Sequence, residues 1–263
     1  MKVITLLNEK GGVGKTTFST HIAAGLALRG YRVILVDTDA QANATSSLGL
    51  NKTPGFYDLT VREADWRDIL QAVHPDVYSP PDSQSKGQLF CVPSNHESRT
   101  VAMSMKNRLV LRSRFQQLRK AIDFFVVDTS PTPSMLNEAL LLATDYVLIP
   151  TDCESFSALE GLPDSIGHIQ NAAETLSNSN LAGPKVLTII PNKYRATTVL
   201  HRDMLKHLQA TYGDLVFEPI RLHVGISETQ TVQQFLFAVA PGHELTEQFW
   251  RLVDMVEGVR EHG

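Results

Sequence analysis

The chain has 263 residues, 43% of them hydrophobic and 20% charged, with a formal net charge of -4. That is ordinary globular usage for one or two domains, long enough to bury a core without disulfides or structural metal. It excludes a disulfide framework, since Cys91 and Cys153 are the two cysteines, a membrane span of ~20 apolar residues, and a uniformly basic nucleic-acid binder.

In chain order, residues 2–7 (KVITLL) read as a buried strand, followed by a glycine-rich turn. A helix is expected over 15–29, with Phe18, Ile22, Ala23 and Leu26 at helical spacing and Gly30 as its stop. Residues 31–36 form a second strand ending in Asp37. The Pro- and Ser-rich stretch 74–88 reads as an exposed loop. A short strand over 89–92 is stopped by Pro93. A helix over 108–121 would use Leu109, Leu111, Phe115 and Leu118. Residues 124–127 (FFVV) are another buried strand, again ending in an aspartate, Asp128. Further strands are expected at 146–150, 185–191 and 215–220, and helices at 134–143, 157–176, 197–211 and 243–259. Continuous apolar strands alternating with helices predict one α/β domain over 1–263, a mostly parallel twisted sheet covered on both faces. Ligands in such sheets bind at the carboxyl ends of the strands. That edge gathers the glycine turn, Asp37, Asp39 and Asp128.

The segment Lys10-Gly11-Gly12-Val13-Gly14-Lys15-Thr16-Thr17 lies between a strand and a helix. A triphosphate needs inward-turned backbone N–H groups, which glycines permit, and the positive end of a helix dipole. Lys15 would reach the β- and γ-phosphates, and the Thr16 hydroxyl is placed to ligate Mg2+. The ordinary P-loop pattern has a glycine where this chain has Glu9; the pair Gly11-Gly12 and an extra lysine, Lys10, stand in its place. Asp128 has the position of the acid that holds Mg2+ through water. Asp37 or Asp39 could orient the attacking water, and geometry must decide between them.

These residues resemble the ParA/MinD family of deviant Walker A P-loop ATPases, on the ParA side. Lys10 to Thr17 is similar to the family's deviant Walker A motif, 36–45 (VDTDAQANAT) to its switch I, and 124–131 (FFVVDTSP) to its Walker B and switch II. Pro150, Glu154 and the run 158–162 (ALEGL) resemble the next block. The resemblance implies P-loop NTPase architecture and ATP with Mg2+ as cofactors. It also implies an ATP-induced sandwich homodimer in which Lys10 reaches the partner's phosphates. Asp39 then matches the aspartate needed for hydrolysis, placed near the metal with Thr16 and Asp128. Asn192, in Pro-Asn-Lys, is similar to the asparagine that reads adenine; a simple turn asparagine is the other reading. Members on the ParA side bind nonspecific DNA as ATP dimers and are released when a ParB-like or cargo-adaptor protein stimulates hydrolysis. A cytoplasmic, nucleoid-associated protein that moves plasmids, chromosomes or a protein cargo is therefore expected. Ala40 and Ala42 replace the usual proline and glycine of switch I, and Gly225 stands where a DNA-binding arginine is usual.

A DNA surface has a local source. Arg99, Lys106, Arg108, Arg112, Arg114, Arg119 and Lys120 run without an intervening Asp or Glu, and such a patch neutralises phosphates without reading sequence. Lys193, Arg195, Arg202 and Lys206 form a sparser group. Arg112, Arg202 and Arg221 are the candidate DNA contacts. A MinD-like membrane ATPase would want a basic amphipathic tail. Here 243–263 carries two arginines against five acids, 2 − 5 = -3, so Phe249, Trp250, Leu252, Val253 and Val256 are expected in the core and no membrane partner is expected. A metabolic or redox member of the superfamily with an iron–sulfur cluster would need cysteine pairs that the sequence lacks.

Overall fold

The computed structural model describes residues 1–81, 85–132, 134–155, 157–222 and 233–261. Its sheet is built from β1 (Lys2–Leu6), β2 (Arg32–Asp37), β3 (Gln71–Ala72), β4 (Gln88–Val92), β5 (Phe124–Asp128), β6 (Tyr146–Asp152) and β7 (Lys185–Asn192). The strand order is β3-β4-β2-β5-β1-β6-β7. Every pairing is parallel except that of the short edge strand β3 with β4. The helices in chain order are α1 (Lys15–Leu28), α2 (Asn43–Ser47), α3 (Phe56–Thr60), α4 (Trp66–Ile69), α5 (Val101–Ser104), α6 (Val110–Gln117), α7 (Met135–Ala143), α8 (Ser157–Glu160), α9 (Leu162–Ser177) and α10 (Val199–Tyr212). A short helix Leu236–Val239 and a long one, Glu244–Glu261, end the described chain.

The central strands are apolar throughout because both their faces are covered. On one face Ile4, Leu6, Val33 and Leu35 pack with Phe18, Ile22 and Leu26 of α1 and with Phe249, Leu252 and Val253 of the last helix. On the other, Val3, Ile34, Val36 and Phe125 pack with Phe115, Leu136 and Leu140. A third cluster joins β6 and β7 to α9 and α10 through Val147, Ile149, Ile169 and Leu208. The tail residues Phe249, Leu252, Val253 and Val256 are fully buried, and Trp250 packs against the same core. Among the described residues, no helix is long and apolar enough to cross a membrane.

Three expectations are corrected. The strand expected at 215–220 is a 3-10 turn, Gly213–Leu215, followed by isolated bridges at Val216 and Arg221. Pro219 has no N–H to continue a ladder. The loop 74–88 contains a 3-10 turn, Pro75–Val77, and drives Tyr78 into the core at 1% exposure. The helix expected at 108–121 is shorter, and Leu109 caps it with 47% exposure while Leu111 and Phe115 are buried.

Candidate functional site

β1 delivers the glycine loop to the carboxyl edge between β5 and β6. Asn8 fixes the exit: it is 2% exposed, its Oδ1 accepts from Lys10 N at 2.8 Å, and its Nδ2 donates to Pro150 O at 2.7 Å. Lys15 Nζ donates to the carbonyls of Asn8 and Lys10 at 2.8 and 2.9 Å, curling under the loop. Burial pushes the Lys15 ammonium below its ordinary range, opposed by Asp128 and Asp39. Gly12 and Gly14 have φ of 74° and 104°, a region that side chains with a Cβ rarely enter. At Gly14 a Cβ would lie 2.6 Å from Asn192 Nδ2. That amide donates to Val13 O at 2.8 Å, so Asn192 clamps the loop from β7.

Beneath the loop, the ends of β1, β2 and β5 are laced together. Thr129 Oγ1 donates to Leu6 O at 2.6 Å, and Thr38 Oγ1 to Asp128 O at 2.8 Å. Thr16 Oγ1, at the head of α1, donates to Asp128 Oδ2 at 2.7 Å. The other oxygen, Asp128 Oδ1, is buried with no hydrogen-bond partner among the described residues. A buried acceptor left open beside a threonine hydroxyl fits a hydrated divalent cation, which would satisfy it through water. Thr16 and Asp128 are thus the residues that would hold Mg2+.

Asp37 and Asp128 are register partners on β2 and β5, both fully buried. Burial raises both carboxyls above their usual range, and Asp37 raises Asp128 further. Asp37 spends its oxygens on the chain: Oδ1 accepts from Asp39 N at 3.1 Å, and Oδ2 from Thr45 N and Oγ1 at 2.9 and 2.7 Å. It anchors the turn into α2. Asp39 is half-exposed and lines a cavity of about 440 Å³ with Thr38, Ser98, Arg99, Ser130 and Thr132. Lys10 lies on the opposite side of the loop. Its Nζ is 3.1 Å from Asp152 Oδ2 at the end of β6 and 3.3 Å from Ser155 Oγ.

The structure brings Lys10 to Thr17, Asp128 and Asn192 together and sets Asp39 at their edge. It scatters the basic run. Lys106 pairs with Glu63 at 2.6 Å and Arg108 with Glu138 at 3.2 Å. Arg112 donates to Leu142 O at 2.9 Å and Arg114 donates to Ala64 O. Acids absent from the run are thus supplied by other elements. Arg99, Arg119 and Lys120 are exposed and make no ion pair among the described residues. Arg202 is exposed and donates to Ala196 O, and Arg221 pairs with Glu244 at 3.2 Å. Gly225 lies outside the described residues.

Comparison with known proteins agrees with this fold. A family model described as an AAA domain matches residues 1–182. The sporulation initiation inhibitor protein Soj of Bacillus subtilis is 31% identical over 225 residues, 83% of each chain. The chromosome-partitioning ATPase Soj of Treponema pallidum is 30% identical, over 83% of this chain and 82% of that one. The ATP complex of Cyanothece McdA superposes with a TM-score of 0.80 at 19% identity, covering 98% of this chain and 96% of that one. The chain belongs to the ParA/MinD family of P-loop ATPases. In this ParA/MinD chain, Asn8 and Asp152 belong to the site without being part of the motifs that mark it in the sequence. Asn8 carries a signal, a short amide at a strand end where such side chains bond nearby backbone. Asp152 carries none: it is 142 residues from Lys10, and only the pairing of β1 with β6 joins them.

Proposed function

We propose that the chain is an ATP- and Mg2+-dependent partition or positioning ATPase that dimerises on ATP and uses nonspecific DNA as its track. The observation that carries the nucleotide reading is the Thr16–Asp128 pair beneath the glycine loop, with Asp128 Oδ1 left open. Bound Mg2+ would neutralise charge on the β- and γ-phosphates. Lys15 leaves its two carbonyls for the phosphates. Asp39, the half-exposed carboxylate left once Asp37 is committed to Thr45, orients the attacking water. Lys10 serves the facing subunit. Asn192 reads adenine from the position where it now holds Val13. Relatives named for chromosome partitioning support the role; a ParB-like or cargo-adaptor protein stimulates hydrolysis, and the protein resides on the nucleoid.

Binding of a fluorescent ATP analogue and phosphate release test the reading. Lys15→Ala abolishes binding. Asp39→Ala keeps binding, loses turnover and accumulates an ATP-bound dimer; normal turnover would remove Asp39 from its role. For DNA, Arg202→Glu weakens binding of the ATP-loaded protein across unrelated sequences and lowers the salt slope by about 1, with Arg112 and Arg221 as the companion contacts. ATP-loaded protein that ignores DNA at low salt would sink the DNA reading.

A further inference from the structure

The cavity of about 440 Å³ that Asp39 borders is built without the glycine loop. Its walls come from the segments that follow β2, β4 and β5, and none of residues 10–17 lines it. Two of its lining residues, Ala102 and Leu136, belong to the packing of the sheet face opposite α1. Arg99 and Asp39 bring it one charge of each sign, and Thr38, Ser98 and Ser130 bring hydroxyls. The turn that carries Arg99 is tied down. Ser98, 3% exposed, shares a hydrogen bond of 2.8 Å with Ser94 Oγ, and Ser94 N donates to Thr45 Oγ1 at 3.0 Å. Arg62 takes Glu97, the acid nearest to Arg99 in sequence, at 2.7 Å. The Arg99 guanidinium is left on a fixed backbone with no ion pair or hydrogen bond among the described residues. Asp39 Oδ1 accepts from Gln41 N at 2.9 Å, and Oδ2 has no hydrogen-bond partner among the described residues.

We propose that this cavity receives the inorganic phosphate made by hydrolysis, with Arg99 as its main ligand and Asp39 accepting from its hydroxyl. Its source is the ATPase reaction proposed above, on which the inference rests. In an in-line displacement the bond from the γ-phosphorus to ADP breaks as the bond to the water oxygen forms, so the phosphoryl group moves away from ADP and towards the residue that orients the water. That residue, Asp39, borders the cavity. One proton of the water departs and the other stays on the product as P–OH. A guanidinium fork suits a tetrahedral oxyanion, to which it donates in pairs. An ionised carboxylate only accepts, so it repels sulfate, which has no proton to give, and tolerates phosphate, which keeps one at neutral pH. The volume takes phosphate with part of its water shell, as suits a product that must leave.

Phosphorus NMR of inorganic phosphate added to the protein saturated with ADP and Mg2+, with sulfate as competitor, tests the site. Phosphate binds saturably, and sulfate displaces it only at about tenfold higher concentration. Arg99→Ala weakens phosphate by about tenfold. Arg99→Lys recovers part of the loss, because it keeps the charge without the fork. Asp39→Asn narrows the gap between phosphate and sulfate, since an amide donates to either. In turnover, Arg99→Ala raises the inhibition constant of phosphate without moving the KM for ATP. Nucleotide-free Lys15→Ala protein keeps the Arg99-dependent binding, because the glycine loop takes no part in it. Circular dichroism checks that each variant is folded. Phosphate binding that is lost with Lys15→Ala and indifferent to Arg99→Ala belongs to the glycine loop and overturns the site. Equal affinity for sulfate overturns it as well. A loss of DNA affinity in Arg99→Ala with phosphate binding unchanged assigns Arg99 to the DNA surface instead. None of these failures touches the ATPase reading, and a failed ATPase assay leaves the nucleotide-free titration intact.

Discussion

His21 sits inside α1, one turn below the phosphate loop, and its chemistry is legible only in the folded chain. Its ring is packed among Phe235, Phe237 and Phe249, with centroids 4.9, 6.0 and 4.6 Å away. Nδ1 donates to Thr17 O at 2.8 Å, which leaves Nε2 to accept from Leu236 N at 3.4 Å. The bond from Leu236 requires the neutral ring, and burial pushes its pKa down to about 4 against the Thr17 bond, which favours the charged form. The unfolded chain takes up a proton near pH 6.5, whereas the folded chain resists until about pH 4. Stability is therefore lost as pH falls through that window, by up to about 3 kcal/mol. His21→Gln cannot titrate. It is expected to be less stable at neutral pH but to lose less on acidification, as measured by urea midpoints. A difference between wild type and variant that stays constant with pH would refute this.

At the scale of elements, sequence pattern located the strands and the glycine loop because each central strand is an apolar run ended by a residue of another kind. Leu7 gives way to Asn8 and the loop, Val36 to Asp37, and Val127 to Asp128. What the pattern missed depends on neighbours distant in sequence. Tyr78 looks like a loop residue until the core receives it, and 215–220 looks like a strand until Pro219 leaves the ladder incomplete. Gly25 is a third case. A mid-helix glycine costs about 1 kcal/mol against alanine, and nothing in α1 alone explains it. In the structure a Cβ there would lie 2.4 Å from Val253 Cγ2 and 3.3 Å from the Phe237 ring. The glycine lets the helix Glu244–Glu261 pack directly on α1. Gly25→Ala therefore destabilises by about 1–3 kcal/mol through overpacking, against its helix propensity. Gly25→Ala with Val253→Ala recovers part of the loss in a thermal melt, because the second change removes the methyl that clashes.

The behaviour of the whole molecule turns on where Lys10 points. In the single chain its ammonium is paired with Asp152, which is 4% exposed on its side chain while Lys10 is 35% exposed. In the facing dimer proposed above, Lys10 must leave that carboxylate for the neighbour's phosphates. The lone chain is then held in a conformation that cannot dimerise, and the apparent nucleotide affinity of the dimer is reduced by the fraction of chains already released. Departure also strands a nearly buried carboxylate, which adds to the cost. Asp152→Asn keeps an oxygen for Glu154 N, which Asp152 Oδ1 now accepts at 3.2 Å, but removes the charge that holds Lys10. The variant is expected to dimerise at severalfold lower concentrations of a non-hydrolysable ATP analogue with Mg2+, read by light scattering. Asp152→Asn combined with Lys10→Ala should return to the Lys10→Ala level, since the carboxylate acts through the lysine alone. A variant that dimerises less well than wild type would mean that Asp152 supports Lys10 in the assembled state rather than withholding it.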